Sequence, residues 1–323
     1  MIQSRFPSAS APSASVQPVA YAPTASAERR FTQAFDDLTA TYSPQEPAFW
    51  ASGFGSLSEY DGSATTLDHE AHHAGLAIGY ESNVSPELVV GALVGYGWGT
   101  FESESRWAES FDNAAHGAFA SLYGQAQRGD VFATVAMSGG FLSHSDDRLV
   151  NDNLAALGVS SAQADYNSWW LSPELTVGWH AGALGDSNWQ FTPSARVRYA
   201  IQFVDGYTET GPSAANATVA SRTVSALESR IQLAATRQFD LAILTVRGGW
   251  QYRSTVRTED ANVTLIGQSG SVPVDGEEGS AAFVGGEMSV ALGPTLSLDL
   301  AGEAAIGDGM TRYGGMATIR ATF

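Results

Sequence analysis

The stretch Arg312-Tyr313-Gly314-Gly315-Met316-Ala317-Thr318-Ile319-Arg320-Ala321-Thr322-Phe323 decides the fold. It alternates without a break. Tyr313, Gly315, Ala317, Ile319, Ala321 and Phe323 fall on one face, and Arg312, Gly314, Met316, Thr318, Arg320 and Thr322 on the other. A period of two is a β-strand with one apolar and one polar side. In a soluble sheet, a terminal aromatic opposite arginines makes an odd edge. It fits the last strand of a closed outer-membrane barrel, apolar toward lipid and polar toward the lumen.

The pattern recurs upstream. Trp189, Phe191, Pro193, Ala195, Val197, Tyr199, Ile201 and Phe203 alternate with Gln190, Thr192, Ser194, Arg196, Arg198, Ala200 and Gln202. Leu88, Val90, Ala92, Val94, Tyr96 and Trp98 share a face, as do Ala242, Leu244, Val246, Trp250 and Tyr252. Leu296, Leu298 and Leu300 oppose Ser297, Asp299 and Glu303. About twelve strands are expected, an even count as bacterial barrels require: 48–60, 69–82, 87–101, 111–126, 131–145, 162–180, 188–206, 219–237, 239–257, 279–292, 295–304 and 311–323. Short connections at Asn83–Pro86, Gln127–Asp130, Ala181–Ser187, Gln238–Asp240 and Gly293–Pro294 alternate with long polar ones. The long ones sit near 61–67, 102–110, 146–161, 207–218, 258–278 and 305–310. That asymmetry is the short-periplasmic, long-extracellular habit of such barrels.

Composition agrees. The 323 residues include 44% hydrophobic ones, yet mean hydropathy is only −0.08. No run approaches the ~18 apolar residues of a spanning helix. There are 34 glycines and 8 tryptophans. Cysteine is absent, which removes disulfides, thiol catalysis and cysteine metal sites. All 16 basic residues are arginine. The net charge of −18 argues against nucleic acid as a partner.

Residues 1–25, with Pro7, Pro12, Pro18 and Pro23, form a Ser/Ala/Pro-rich linker or stub. Met1 to Pro23 lacks the basic start and apolar core of a signal peptide, so the export signal is expected to be removed or upstream. Residues 26–47 change character. Ser26 can cap a helix, and Phe31, Phe35 and Leu38 recur at helical spacing until Pro44 and Pro47 stop it. A helix of about 14 residues is ~21 Å long, close to the ~25 Å height of a barrel's apolar band. It is expected to thread the lumen, with the barrel over 48–323.

From here the chain resembles the C-terminal translocator domains of the autotransporters, the type V secretion proteins. The resemblance rests on a helix followed by Phe49-Trp50-Ala51-Ser52-Gly53-Phe54-Gly55, Gly75-Leu76-Ala77-Ile78-Gly79-Tyr80 and Gly91-Ala92-Leu93-Val94-Gly95-Tyr96-Gly97. Gly117-Ala118-Phe119-Ala120-Ser121-Leu122-Tyr123 and the final Ala317-Thr318-Ile319-Arg320-Ala321-Thr322-Phe323 complete it. It implies a monomeric twelve-stranded outer-membrane barrel among lipid and lipopolysaccharide. It implies delivery of an upstream passenger to the cell surface, with the linker helix left in the pore. It also implies insertion by the barrel assembly machinery, which reads the last strand; Tyr313, Ile319 and Phe323 are the candidate signal. A general porin-like channel is the alternative reading. An outer-membrane enzyme and a soluble β-rich adhesin are weaker ones.

Candidate site residues follow from strand parity. Glu174, Arg196, Arg198, Glu228, Arg230, Arg247, Arg253, Glu287, Asp299, Glu303 and Arg320 fall on polar faces and are candidate lumen charges. They either hold the helix and set selectivity or simply pair in a wet interior. Trp179, Trp189 and Trp250 are candidate interface anchors. No catalytic residue, metal or cofactor is expected, and no Gly-x-Ser-x-Gly elbow occurs. Some autotransporters cut their linker by asparagine cyclisation, but residues 1–47 contain no asparagine. Self-cleavage through acidic residues such as Asp36 and Asp37 stays open; the plainer role for both is solvation of the helix. His69-Glu70-Ala71-His72-His73 matches H-E-x-x-H, but in a strand its members point to opposite faces. Arg128-Gly129-Asp130 is explained by turn chemistry. Asn216-Ala217-Thr218 and Asn262-Val263-Thr264 match glycosylation acceptors, which carry little meaning in a bacterial barrel.

Overall fold

The computed structural model describes residues 47–61, 68–104, 110–151, 158–183, 189–211, 216–265, 267–272 and 278–323. The expected helix, with Phe31, Phe35, Asp36, Asp37 and Leu38, lies outside the described residues, as does the 1–25 linker.

The strands, in chain order, are β1 (Ala48–Tyr60), β2 (His69–Ser85), β3 (Leu88–Glu104), β4 (Ser110–Arg128), β5 (Val131–Asn151), β6 (Val159–Trp179), β7 (Gly182–Ala183), β8 (Trp189–Val204), β9 (Tyr207–Thr208), β10 (Ala217–Val219), β11 (Arg222–Gln238), β12 (Ala242–Thr258), β13 (Ala261–Leu265), β14 (Gln268–Val272), β15 (Gly279–Ala291), β16 (Leu296–Gly307) and β17 (Met310–Thr322). The twelve long ones form one antiparallel sheet. β17 returns to pair with β1 from Ala48↔Thr322 to Tyr60↔Met310, so the sheet closes into a barrel. Closure removes every edge of the twelve long strands.

Alternation fixes which way each strand faces. Leu76, Ile78, Val94, Leu122, Val135, Ile231, Val284 and Ile319 all point outward, each more than half exposed. A continuous apolar belt of this kind needs lipid, not water, against it. A slip of one residue would turn the belt into the lumen, so register is strongly specified.

One rim carries Pro47 and Phe323, and we call it the near rim. Its turns are short; Glu87 and Gly129–Asp130 are examples. The far rim differs from expectation at three places. The supposed loop at 305–310 is a two-residue hairpin turn. Asp308 and Gly309 both have positive φ, 41° and 69°, as a type I′ Asp-Gly turn requires. Ser280 clamps it: its backbone N–H and its hydroxyl both donate to the Asp308 carboxylate, which holds that carboxyl below its usual range. At 146–161 the strands run on, β5 to Asn151 and β6 from Val159, because Ser161 and Gln163 donate to Asp147 across the pair, at 2.6 and 2.9 Å.

The third departure is a four-stranded annex, β14-β13-β10-β9, built from the two segments expected to be loops at 207–218 and 258–278. Its apolar residues Tyr207, Ala217, Val219, Ala261 and Val263 pack on the inward faces of Ala164, Tyr166, Val204 and Val224. Tyr207 stacks on Tyr166, which stacks on His144, at 4.4 and 4.8 Å between ring centres. Arg148 donates to both oxygens of Glu209 at 2.9 and 2.6 Å. The annex therefore leans over the far mouth of the lumen on its β6–β11 side. Polar alternation in Ala217–Val219 and Ala261–Leu265 is too short to announce it.

Candidate functional site

The lumen has two unlike walls. Inward positions of β8, β11, β12, β15, β16 and β17 carry most of the charges, joined by Glu174 of β6 and Glu81 of β2. Glu228 accepts from Arg196 and Arg198 at 2.8 and 3.1 Å, and Arg196 also lies 3.9 Å from Glu174. Glu303 gathers three guanidinium groups from three strands. Arg230 donates to it through both terminal nitrogens at 2.9 and 2.6 Å, Arg247 at 3.2 Å and Arg312 at 3.4 Å. The Arg230 guanidinium carbon also lies over the Phe283 ring, 3.5 Å from its centre. Nearer the chain ends, Arg320 sits between Asp299, at 3.6 Å, and Glu81. Bidentate and shared pairs of this type are stiff and directional. Arg253 and Glu287 are half-buried on the same inward faces. Arg253 lines a cavity of about 240 Å³ at the far end of the lumen, with Tyr60, His69, Glu228, Gln251 and Arg312.

The opposite wall, β1 to β6, is apolar in its middle, with its inward charges Glu81, Asp146, Arg148 and Glu174 lying outside that patch. Trp50, Leu93, Phe119, Leu142 and Trp170 are buried there, with Phe54 and Tyr123 packed against them. The rings lie across neighbouring strands whose inward residues are glycine. A Cβ on Gly79 would collide with the Trp50 ring, and one on Gly95 with the Phe119 ring. Parity expects a polar lumen all round; the ring-over-glycine wall is a correction to that expectation. Its signal was present in the inward glycines 75, 79, 91, 95 and 99, which leave room for rings from next door.

The family model for the autotransporter beta-domain matches residues 49–303. The chain belongs to that family. This beta-domain is similar in structure to the translocator domain of the autotransporter NalP from Neisseria meningitidis, with a TM-score of 0.73, 16% identity, and coverage of 95% of this chain and 100% of that one. The beta domain of the Bordetella autotransporter BrkA gives 0.64 and 16%, over 86% and 100%. The transport unit of AIDA-I from Escherichia coli gives 0.59 and 12%, over 93% and 99%. No curated protein matches the chain by sequence. The beta-domain is thus a passenger-secreting translocator of the bacterial outer membrane.

The outward face of the beta-domain carries the aromatic residues. Tyr313, Ile319 and Phe323 all point outward from β17, at 50%, 54% and 64% exposure. Phe323 stacks on Phe49 at 5.5 Å, and Phe49 meets Tyr80 at 4.9 Å. Trp179 is exposed and pairs with Val131 at the near rim; Trp189, half-buried, starts β8 there beneath the Arg237 guanidinium, 6.0 Å from its ring centre. Trp250 is exposed midway along β12. Phe141, Trp169 and Phe203 form an outward row in one register, which sequence reading passed over. Such a row needs the register of three strands to be seen.

His69 to His73 lie in β2, as the strand reading requires. His72 and Glu70 meet at 2.9 Å on the outside, whereas His73 is buried inward. Arg128-Gly129-Asp130 forms the β4–β5 turn at the near rim, with Gly129 at φ 60°. Asn262 lies within β13, and Asn216 donates to the carbonyl of Gly211 at 3.0 Å.

Proposed function

We propose that this beta-domain passes its passenger through the lumen and then keeps residues 26–43 there as a helix that closes the pore. The observation that carries the reading is the position of Pro47 at the near rim, where its carbonyl accepts from the backbone of Phe323 at 3.2 Å. The preceding chain therefore starts at one mouth of a closed barrel. The near rim is the periplasmic one, since short turns belong on that side. On this reading the chain divides into a stub at 1–25, a pore segment at 26–47 and the barrel at 48–323.

The split lumen suits such a helix. Phe31, Phe35 and Leu38 recur at helical spacing, and on this reading they are the residues assigned to the ring wall. Asp36 and Asp37 fall off that spacing, and their charge is complementary to the lumen arginines. The same charges tolerate an extended chain during secretion, because each guanidinium has several donors to share. Tyr313, Ile319 and Phe323 are the surface offered to the barrel assembly machinery. Trp179, Trp189 and Trp250 seat the barrel among phospholipid and lipopolysaccharide as a monomer.

Single-channel conductance of the refolded chain, with and without residues 1–43, tests the plug. Low conductance that rises severalfold on truncation is the expected result. High conductance in both forms would leave an open, porin-like channel instead.

A further inference from the structure

The seam between β1 and β17 is unevenly built. Its middle is thin: Gly55 faces Gly315, Gly53 faces Ala317 and Ser56 faces Gly314, with Phe54 opposite Met316 as the one large pair. Its near end is fastened on both faces, and each fastening reaches as far as β2. Inside, Arg320 of β17 pairs with Glu81 of β2. Outside, Phe323 stacks on Phe49 and on Tyr80 of β2, at 5.5 and 6.4 Å. Between them Thr318 donates to Ser52 at 2.8 Å, and Ser52 to the carbonyl of Ala317 at 3.3 Å.

The receiving half of this clasp belongs to the first four strands alone. Tyr123 of β4 donates to Glu81 at 3.1 Å, and the Trp50 indole N–H to Tyr123 at 3.4 Å. Those strands are consecutive hairpins and form through local contacts. Glu81 and the Phe49–Tyr80 pair are then in place before the last strand arrives. Joining the two ends of the chain has the largest loop-closure cost in the fold. A contact that engages both faces at one height can offset it, whereas paired glycines cannot.

We propose that the barrel closes from its near rim, with Glu81, Tyr80 and Phe49 positioning the last strand through Arg320 and Phe323. The chain has no cysteine, so a pair of introduced ones can only join each other. Two full-length variants, Ala48→Cys with Thr322→Cys and Tyr60→Cys with Met310→Cys, place pairs at the near and far ends of the seam. Each is refolded into detergent micelles under mild oxidant and quenched over time. The near pair should cross-link first, by roughly threefold in half-time, and adding Glu81→Gln should slow it by about tenfold. Glu228→Gln, which removes a similarly buried carboxylate held by Arg196 and Arg198 of β8, away from the seam, should lower stability without changing the order. Far-first or simultaneous cross-linking would overturn the proposal, as would an unchanged near-pair rate in Glu81→Gln. If Glu81→Gln does not refold, Tyr80→Ala tests the outer half of the clasp, with the same delay expected and an unchanged rate overturning it.

Discussion

Glu303 shows what a single side chain can hold. It receives arginines from β11, β12 and β17, so it ties four strands together through one carboxylate. Replacing it by glutamine leaves Arg230, Arg247 and Arg312 close to one another without their counter-charge. The expected loss is roughly 3 kcal/mol, seen as a lower guanidinium midpoint for the refolded barrel. Parity sufficed to place Glu303, Arg230 and Arg247 on the lumen side. It could not say that they meet; Arg312, though read onto the polar face, was left out of the candidate charges, and Glu81 was passed over. Which inward residues share a height depends on strand stagger, and stagger is invisible within any one strand. The rings of Trp50, Phe119 and Trp170 were missed for another reason. A hydrophobic side chain on a lumen face breaks the simple rule that inside is polar, and only the glycines beside it explain why it fits.

Strands were legible because their period persists over ten residues or more; loops were not. The Asp308-Gly309 turn is a case where two residues outweigh the polar character of their neighbours. Its carboxyl lies below the ordinary range only when Ser280 donates to it, that is, only in the folded protein. A depressed folded value stabilises the fold fully above the unfolded value. That contribution is lost as pH falls through the lowered one. Asp308→Asn keeps a residue that accepts positive φ but cannot reproduce the charged acceptor. The variant should be less stable than the parent at neutral pH, with the gap closing on acidification, as read by denaturant midpoints at several pH values. The annex strands, two to five residues each, fall below the length at which alternation carries information.

Across the whole molecule the charge of −18 is not spread evenly. Glu59, Glu70, Glu102, Asp112 and Asp147 occupy directly facing positions on five successive strands, β1 to β5, toward the far rim. Like charges opposite one another destabilise a sheet. Glu102→Gln, in the middle of the row, should therefore raise the denaturation midpoint at low ionic strength, and added salt should shrink the gain. No gain at low salt would mean that the row is already neutralised. The annex has a consequence of its own. Its strands come from two segments separated by the β11–β12 hairpin, so β10 cannot meet β13 until that hairpin exists. Tyr207 cannot reach Tyr166 until β6 and β8 stand side by side. The stack of Tyr207, Tyr166 and His144 is thus a built-in reporter of maturity: its near-ultraviolet signal should appear only in molecules whose wall is already complete.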